Sequence, residues 1–175
     1  MRWICLFSSC LLMTLVGCVS SGLIKNGGPV STIRPVSLDF ILVETSCSLP
    51  DVKTDGRLLN DNIITGLRDT QLFGSVTGNK EDINSGSGIK VKADIQEIKR
   101  VSPGARVWFG ALAGNARVLV QVTVSDLNSG DQIQTFEVEG QSGASASAGT
   151  TDEAIQRAAQ QVVAEVVRIR RQTSQ

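Results

Sequence analysis

Histidine and tyrosine are both absent from this chain of 175 residues. Histidine is the commonest general base and metal ligand of proteins, and the tyrosine hydroxyl is a frequent proton donor. The glycine-rich stretches "GNK" and "GSGIK" also lack the Gly-Lys-Ser/Thr ending of a phosphate-binding loop. We therefore expect no enzymatic activity and no metal, with a serine–lysine or carboxylate-pair hydrolase as the less favoured alternative.

An excess of charge of one sign is missing as well. The chain carries 17 basic and 17 acidic residues and has no formal net charge. Nucleic acids and anionic lipid surfaces are bound by clusters of positive charge. The composition therefore predicts no nucleic-acid partner, and any attachment to a membrane must have another basis.

Apolar runs long enough to cross a membrane are also lacking, because Ile4–Val16 falls short of the roughly 20 residues of a spanning helix. The run follows a single positive charge and ends in small residues, which is the layout of a secretory signal. Its ending "LVGC" resembles the lipobox of bacterial lipoproteins, in which signal peptidase II cuts before a lipid-bearing cysteine. The resemblance implies a signal peptide at residues 1–17, cleavage between Gly17 and Cys18, and a diacylglycerol and an acyl chain on Cys18.

This lipid would make the membrane the first partner of the protein. Each buried methylene of an acyl chain adds about 0.8 kcal/mol, so several chains hold a protein in the bilayer permanently. Val19 follows the lipobox cysteine, where many lipoproteins of the inner membrane have an aspartate. The resemblance therefore implies the periplasmic face of the outer membrane, and we expect no cofactor other than the covalent lipid.

Four cysteines do not make a disulfide framework here. Cys5 and Cys10 leave with the signal peptide and Cys18 takes the lipid, so Cys47 is the only thiol of the mature chain. A small buried hydrophobe is the favoured interpretation of Cys47, since no histidine is present to activate it. A reactive thiol and a disulfide with another chain remain open alternatives.

The mature chain has the length of a single domain. Residues 18–35 are rich in serine, glycine and proline and have no apolar period, which predicts a flexible tether. We expect one folded domain over residues 36–171 and a disordered tail at residues 172–175.

The spacing of apolar residues predicts four strands and two helices. The predicted strands are Val36–Thr45, a segment that begins at Ile89, Asn115–Leu127 and Gln132–Gly143, and the predicted helices are Asp55–Thr70 and a segment that begins at Thr151. Between the last two strands we expect a hairpin turn with Asp126 as an Asx-turn residue and Gly130 at positive φ. This order predicts an α+β fold, a mainly antiparallel sheet with two helices packed on one face.

Three stretches carry a resemblance to a known family. They are "GLRDTQLF" (Gly66–Phe73), "ARVLVQVTVSDLNSGDQI" (Ala116–Ile133) and "VEGQSGASASAGTTDEAIQRAAQQV" (Val138–Val162). With them the sequence resembles, from Val36 onward, the bacterial lipoprotein family known as domain of unknown function 4410. The resemblance implies a fold like the small envelope domains of TolB (its amino-terminal domain) and of the curli secretion lipoprotein CsgG, and it implies no activity.

The segment Ser102–Ala116 combines the only tryptophan of the mature chain with a run of small residues. Trp108 and Phe109 either cap the core of a long hairpin or project as a tip toward lipid or a partner, because aromatic rings are favoured at membrane interfaces and binding hot spots. Gly110 and Gly114 form a small-xxx-small pair that suits close backbone packing. These four residues are the candidate interaction site.

Taken with the missing catalytic residues, these features predict a lipid-anchored envelope protein with no enzymatic activity. Its domain would be an interaction or assembly module for an envelope protein that the sequence does not identify. The alternative is a ring-forming secretion or pore lipoprotein, and the oligomeric state distinguishes the two.

Overall fold

The computed structural model describes residues 25–27, 40–47, 49, 53–83, 88–100, 115–143 and 150–173. Over these ranges the elements are β1 (Lys25–Gly27), β2 (Phe40–Cys47), α1 (Lys53–Asp69), β3 (Ser75–Thr77), β4 (Gly88–Lys99), β5 (Arg117–Asp126), β6 (Gln132–Gln141) and α2 (Thr151–Thr173), with one short 3-10 turn at Lys80–Asp82.

The six strands form one sheet in the order β1-β6-β5-β4-β2-β3. The pairs β1–β6, β5–β6 and β4–β5 are antiparallel, whereas β2 runs parallel to both of its neighbours, β3 and β4. Helix α1 follows β2 and returns the chain across the sheet, as a parallel pairing requires. The predicted α+β fold is confirmed, and the sheet is mixed because of β2.

Both helices pack on one face of this sheet, as predicted. Helix α1 contacts β2 and β3, α2 contacts β5 and β6, and the two helices contact each other. The apolar stripe expected on α1, Leu59, Ile63 and Leu67, is 0% exposed. Alternate residues of the strands complete the core, including the β5 valines Val118, Val120, Val122 and Val124, all 0% exposed.

Helix α2 begins where the sequence predicts it. Thr150 is the cap, since its Oγ1 accepts a hydrogen bond from the Glu153 backbone N–H at 3.1 Å. The helix lies very close to β6, because a Cβ placed on Gly140 would be 1.9 Å from the Ala154 carbonyl oxygen. Only a glycine permits this contact between strand and helix.

The β5–β6 turn also forms as predicted. Asp126 Oδ1 accepts the backbone N–H groups of Asn128 and Ser129 at 2.9 and 2.8 Å. Gly130 has a φ of 77°, which is the left-handed conformation that glycine adopts readily.

Two short strands were not predicted. Lys25–Gly27 lies within the segment expected to be a tether, yet it pairs with Thr135–Glu137 of β6. Ser75–Thr77 pairs with the first residues of β2. Strands of three residues are too short to show an alternating pattern, so the sequence gives no signal for either.

Candidate interaction surfaces

The predicted site residues lie outside the described residues. This is the case for Gly17 and Cys18 of the lipobox and for the candidate tip, which consists of Trp108, Phe109, Gly110 and Gly114. The structure does describe the two strands between which the tip segment lies. Lys99, the last residue of β4, is paired with Arg117, the first residue of β5.

The position at which the tip segment joins β5 is fixed to β6. The Ala116 backbone N–H donates to Ser142 Oγ at 2.9 Å, and the Ser142 backbone N–H donates to the Ala116 carbonyl oxygen at 2.9 Å. Ala116 and Ser142 are 0% and 2% exposed, so both hydrogen bonds are shielded from water. The chain therefore enters β5 from a rigid position.

The position at which the tip segment leaves β4 is fixed to helix α1. Arg100 forms an ion pair with Asp55, whose side chain is 11% exposed and lies in the first turn of α1. A carboxylate in this position is stabilised by the helix dipole as well as by the guanidinium. The residues that flank the tip segment are thus held to two different elements of the fold.

The face of the sheet opposite the helices is mainly polar in the part of the chain that the structure describes, although the apolar residues Phe40 and Leu119 also lie on it. Glu44 of β2 forms an ion pair with Lys90 of β4, with 2.7 Å between Oε2 and Nζ. The Ser46 hydroxyl donates a hydrogen bond to Asp94 Oδ1 at 2.8 Å. Leu42 is a further apolar residue on this face and is 1% exposed. We call this surface the open face.

One backbone carbonyl near each end of the strand order accepts a hydrogen bond from a side chain, at Val76 of the outer strand β3 and at Glu139 of β6, beyond the residues that pair with β1. Arg68 donates from Nε and Nη2 to the Val76 carbonyl of β3 at 3.1 and 2.8 Å. Gln161 donates to the Glu139 carbonyl of β6 at 2.9 Å. Occupied or covered edges resist the addition of a strand from another chain. The Val76 and Glu139 carbonyls are therefore not available to a strand from another chain.

A buried polar cluster links α2 to β6. Glu165, which is 5% exposed, accepts hydrogen bonds from Gln134 Nε2 at 3.1 Å and from Arg168 Nε at 2.9 Å. The hydrogen bond to Glu165 raises the pKa of the Arg168 guanidinium, against the opposing effect of its burial. Both oxygens of Glu165 are occupied, so the cluster joins helix to sheet and offers no free acid or base.

Cys47 is half-buried at the end of β2 and packs against the core. It lies opposite Ile95 on the face that the helices cover. Cys47 is thus less buried than the interpretation as a buried hydrophobe expects, although it does pack against the core. Among the described residues no group of three or more potential metal ligands comes together.

No helix within the described ranges is long and apolar enough to span a bilayer. The family model for a domain of unknown function (DUF4410) matches residues 32–146, from ahead of β2 to beyond β6. The chain belongs to this family, which confirms the resemblance found in the sequence. None of the curated proteins matches the chain.

The fold is similar to that of solved bacterial proteins. A PelC dodecamer from Paraburkholderia phytofirmans, a single-residue variant, has a TM-score of 0.53 at 12% identity and covers 81% of this chain and 94% of that chain. A second PelC dodecamer from the same organism has a TM-score of 0.51 at 14% identity over 83% and 94% of the two chains. A protein of family DUF330 from Xanthomonas campestris has a TM-score of 0.48 at 11% identity over 83% and 91%. At these identities the likeness concerns the fold alone.

Proposed function

We propose that this protein is a lipid-anchored lipoprotein of the bacterial outer membrane, on its periplasmic face, and that its domain is a non-enzymatic interaction or assembly module. The observation that carries the proposal is the lipobox-like "LVGC" after a short apolar run. Cys18 would bear the diacylglycerol and the acyl chain, and no other cofactor is involved.

The partner in this proposal is an envelope protein that contacts the segment between β4 and β5. Trp108 and Phe109 supply the aromatic side chains that dominate binding hot spots. The fixed positions at both ends of the segment support this role, because a segment held at its two ends has less conformational entropy to lose on binding. Arg100 and Ala116 are the residues at which it is held.

Substitution of the lipobox cysteine tests the anchor. Cys18→Ala removes the thiol that accepts the lipid, so we expect an uncleaved precursor without label after growth in radioactive palmitate. Cys47→Ala is the matched control, since Cys47 is the other cysteine retained after cleavage, and it should be labelled and processed like the parent chain. Palmitate on the Cys18→Ala protein would contradict the proposal.

A ring-forming lipoprotein is the second candidate. It is favoured by one observation, the shared fold with two PelC dodecamers, each covered over 94% of its length. A closed ring of identical subunits is built from head-to-tail contacts between them.

Light scattering after size-exclusion chromatography distinguishes the two candidates. For a ring, the full-length protein in a neutral detergent should have a protein mass many times that of one chain, unchanged on dilution. The mass of a single chain would exclude the ring and leave the interaction module.

A further inference from the structure

The open face contains a cavity of about 390 Å³ at the end of the sheet where the β5–β6 turn lies. Small-molecule sites have volumes of about 300–1,000 Å³. Leu42 and Leu127 supply its aliphatic lining, and Thr123, Ser125 and Gln132 supply two hydroxyl groups and an amide. The cavity therefore has the size and the mixed lining of a ligand site.

Three lysines surround this cavity. Lys90 and Lys92 lie two residues apart on β4, and Lys80 reaches it from the 3-10 turn that follows β3. The β4 lysines are cross-strand neighbours of Ser125 and Thr123 on β5. Ammonium and hydroxyl groups thus line the same wall.

The two carboxylates that line the cavity have partners within the protein, Glu44 through an ion pair and Asp126 through one of its oxygens, Oδ1. Glu44 is paired with Lys90 at 2.7 Å, although Lys92 is its direct neighbour across the strands. Asp126 accepts two backbone N–H groups of its own turn at 2.9 and 2.8 Å. The ammonium groups of Lys80 and Lys92 have no ion-pair partner among the described residues.

The backbone that carries these lysines is well held. Thr77 donates to Asp82 Oδ2 at 2.8 Å, and Asn79 Oδ1 accepts the Glu81 backbone N–H at 3.2 Å, which fixes the turn containing Lys80. Lys92 belongs to β4, which is hydrogen-bonded to a strand on each side. A ligand would bind between positions that the fold already sets.

We propose that this cavity binds a small molecule that bears a phosphate group. The ammonium groups of Lys80 and Lys92 would hold the phosphate as two separate positive charges, which is how lysine commonly recognises phosphate. The hydroxyl groups of Thr123 and Ser125 would donate to its oxygens, and the aliphatic lining at Leu42 would contact the organic part. The ligand is either a soluble phosphate monoester or the phosphodiester headgroup of a lipid.

This site extends beyond the proposed interaction module and does not depend on it. The sequence contains only a weak signal for it, the "IKVK" of β4, where alternating lysines are the usual solvent-facing residues of a half-buried strand. The third lysine comes from a turn ahead of β4, and its approach to the other two follows from the tertiary structure alone.

Isothermal titration calorimetry on the full-length chain in neutral detergent tests the site. The probes are glycerol 3-phosphate, a monoester, and glycerophosphoglycerol, the diester of a phosphatidylglycerol headgroup. We expect saturable binding that weakens with added salt. Lys80→Gln and Lys92→Gln should each weaken it about tenfold, or roughly 1.4 kcal/mol. The control Lys99→Gln removes the same charge from an exposed residue at the other end of β4 and should leave the affinity unchanged.

Glu44→Gln provides an independent readout. It releases Lys90 from its ion pair and removes a negative charge from the cavity wall, so affinity should rise, a change that general damage to the fold would not produce. Because the monoester carries more negative charge than the diester, saturable binding of the monoester without saturable binding of the diester identifies a soluble ligand, and equal or tighter binding of the diester identifies a lipid headgroup. The absence of saturable heat with both probes, or an equal loss in Lys99→Gln, would overturn the proposal.

Discussion

At the scale of single residues, one glycine determines how closely helix and sheet approach. A side chain at position 140 would meet the backbone of α2 at two points, with the Cβ 1.9 Å from the Ala154 oxygen and 2.7 Å from the Ala158 nitrogen. Backbone atoms of a packed helix cannot move away singly, as the end of a long side chain could. The glycine thus serves packing density and not backbone flexibility.

Gly140→Ala should therefore displace α2 from the sheet. We expect the free energy of unfolding to fall by about 3 kcal/mol or more, toward the upper end of the cost of overpacking a core. Urea unfolding followed by circular dichroism measures the change.

Gly56→Ala is the matched control. Gly56 lies in α1, and a Cβ at this position would meet nothing within 4 Å. Alanine is the better helix former, so stability should stay the same or rise by about 0.5–1 kcal/mol. Equal destabilisation by the two substitutions would show that the close contact at Gly140 is not the cause.

At the scale of elements, the amphipathic pattern of α2 was the strongest signal in the sequence. Its predicted apolar face is the buried one, and Val162, Val166 and Ile169 are at most 1% exposed. The parallel course of β2 could not be predicted in the same way. It depends on which strand β2 joins after α1, and that choice is made by tertiary packing of side chains distant in sequence.

The buried face of α2 can be tested with one pair of substitutions. Val162→Asp would place a carboxylate without a partner at a position that is 0% exposed, which should cost about 3–5 kcal/mol and unfold the domain or lower its melting temperature strongly. Gln160→Asp introduces the same side chain at an exposed position two residues earlier. It should melt close to the parent protein, and equal melting of the two variants would show that the buried face is wrongly assigned.

At the scale of the whole molecule, the order of elements was enough to predict the α+β class and the two-layer arrangement. The cavity on the open face was not predictable, because Lys80 precedes Lys90 and Lys92 by ten or more residues and belongs to a different element. Periodicity places a side chain on a face of its own element. It carries no information on which elements come together.

The proposed tip predicts a spectroscopic property of the whole domain. In a chain without residues 1–18, Trp108 is the only tryptophan. If Trp108 projects to a partner, its fluorescence should be red-shifted in the isolated protein, and Trp108→Ala should leave the melting temperature unchanged. Blue-shifted emission together with a lowered melting temperature would assign Trp108 to the core and contradict the tip.

The pairing of β1 with β6 has a mechanical consequence. If Cys18 is acylated and inserted in the bilayer, as proposed, the stretch up to Lys25 can extend at most about 25 Å, so the β6 side of the sheet would stay within that height of the membrane surface. Any tension transmitted through the anchor would act first on the three residues of β1 that pair with β6. This pairing is shorter than the one between β6 and β5. Its rupture would lengthen the connection to β2 without unfolding the core, so the domain could yield under tension while its packed layers stay intact.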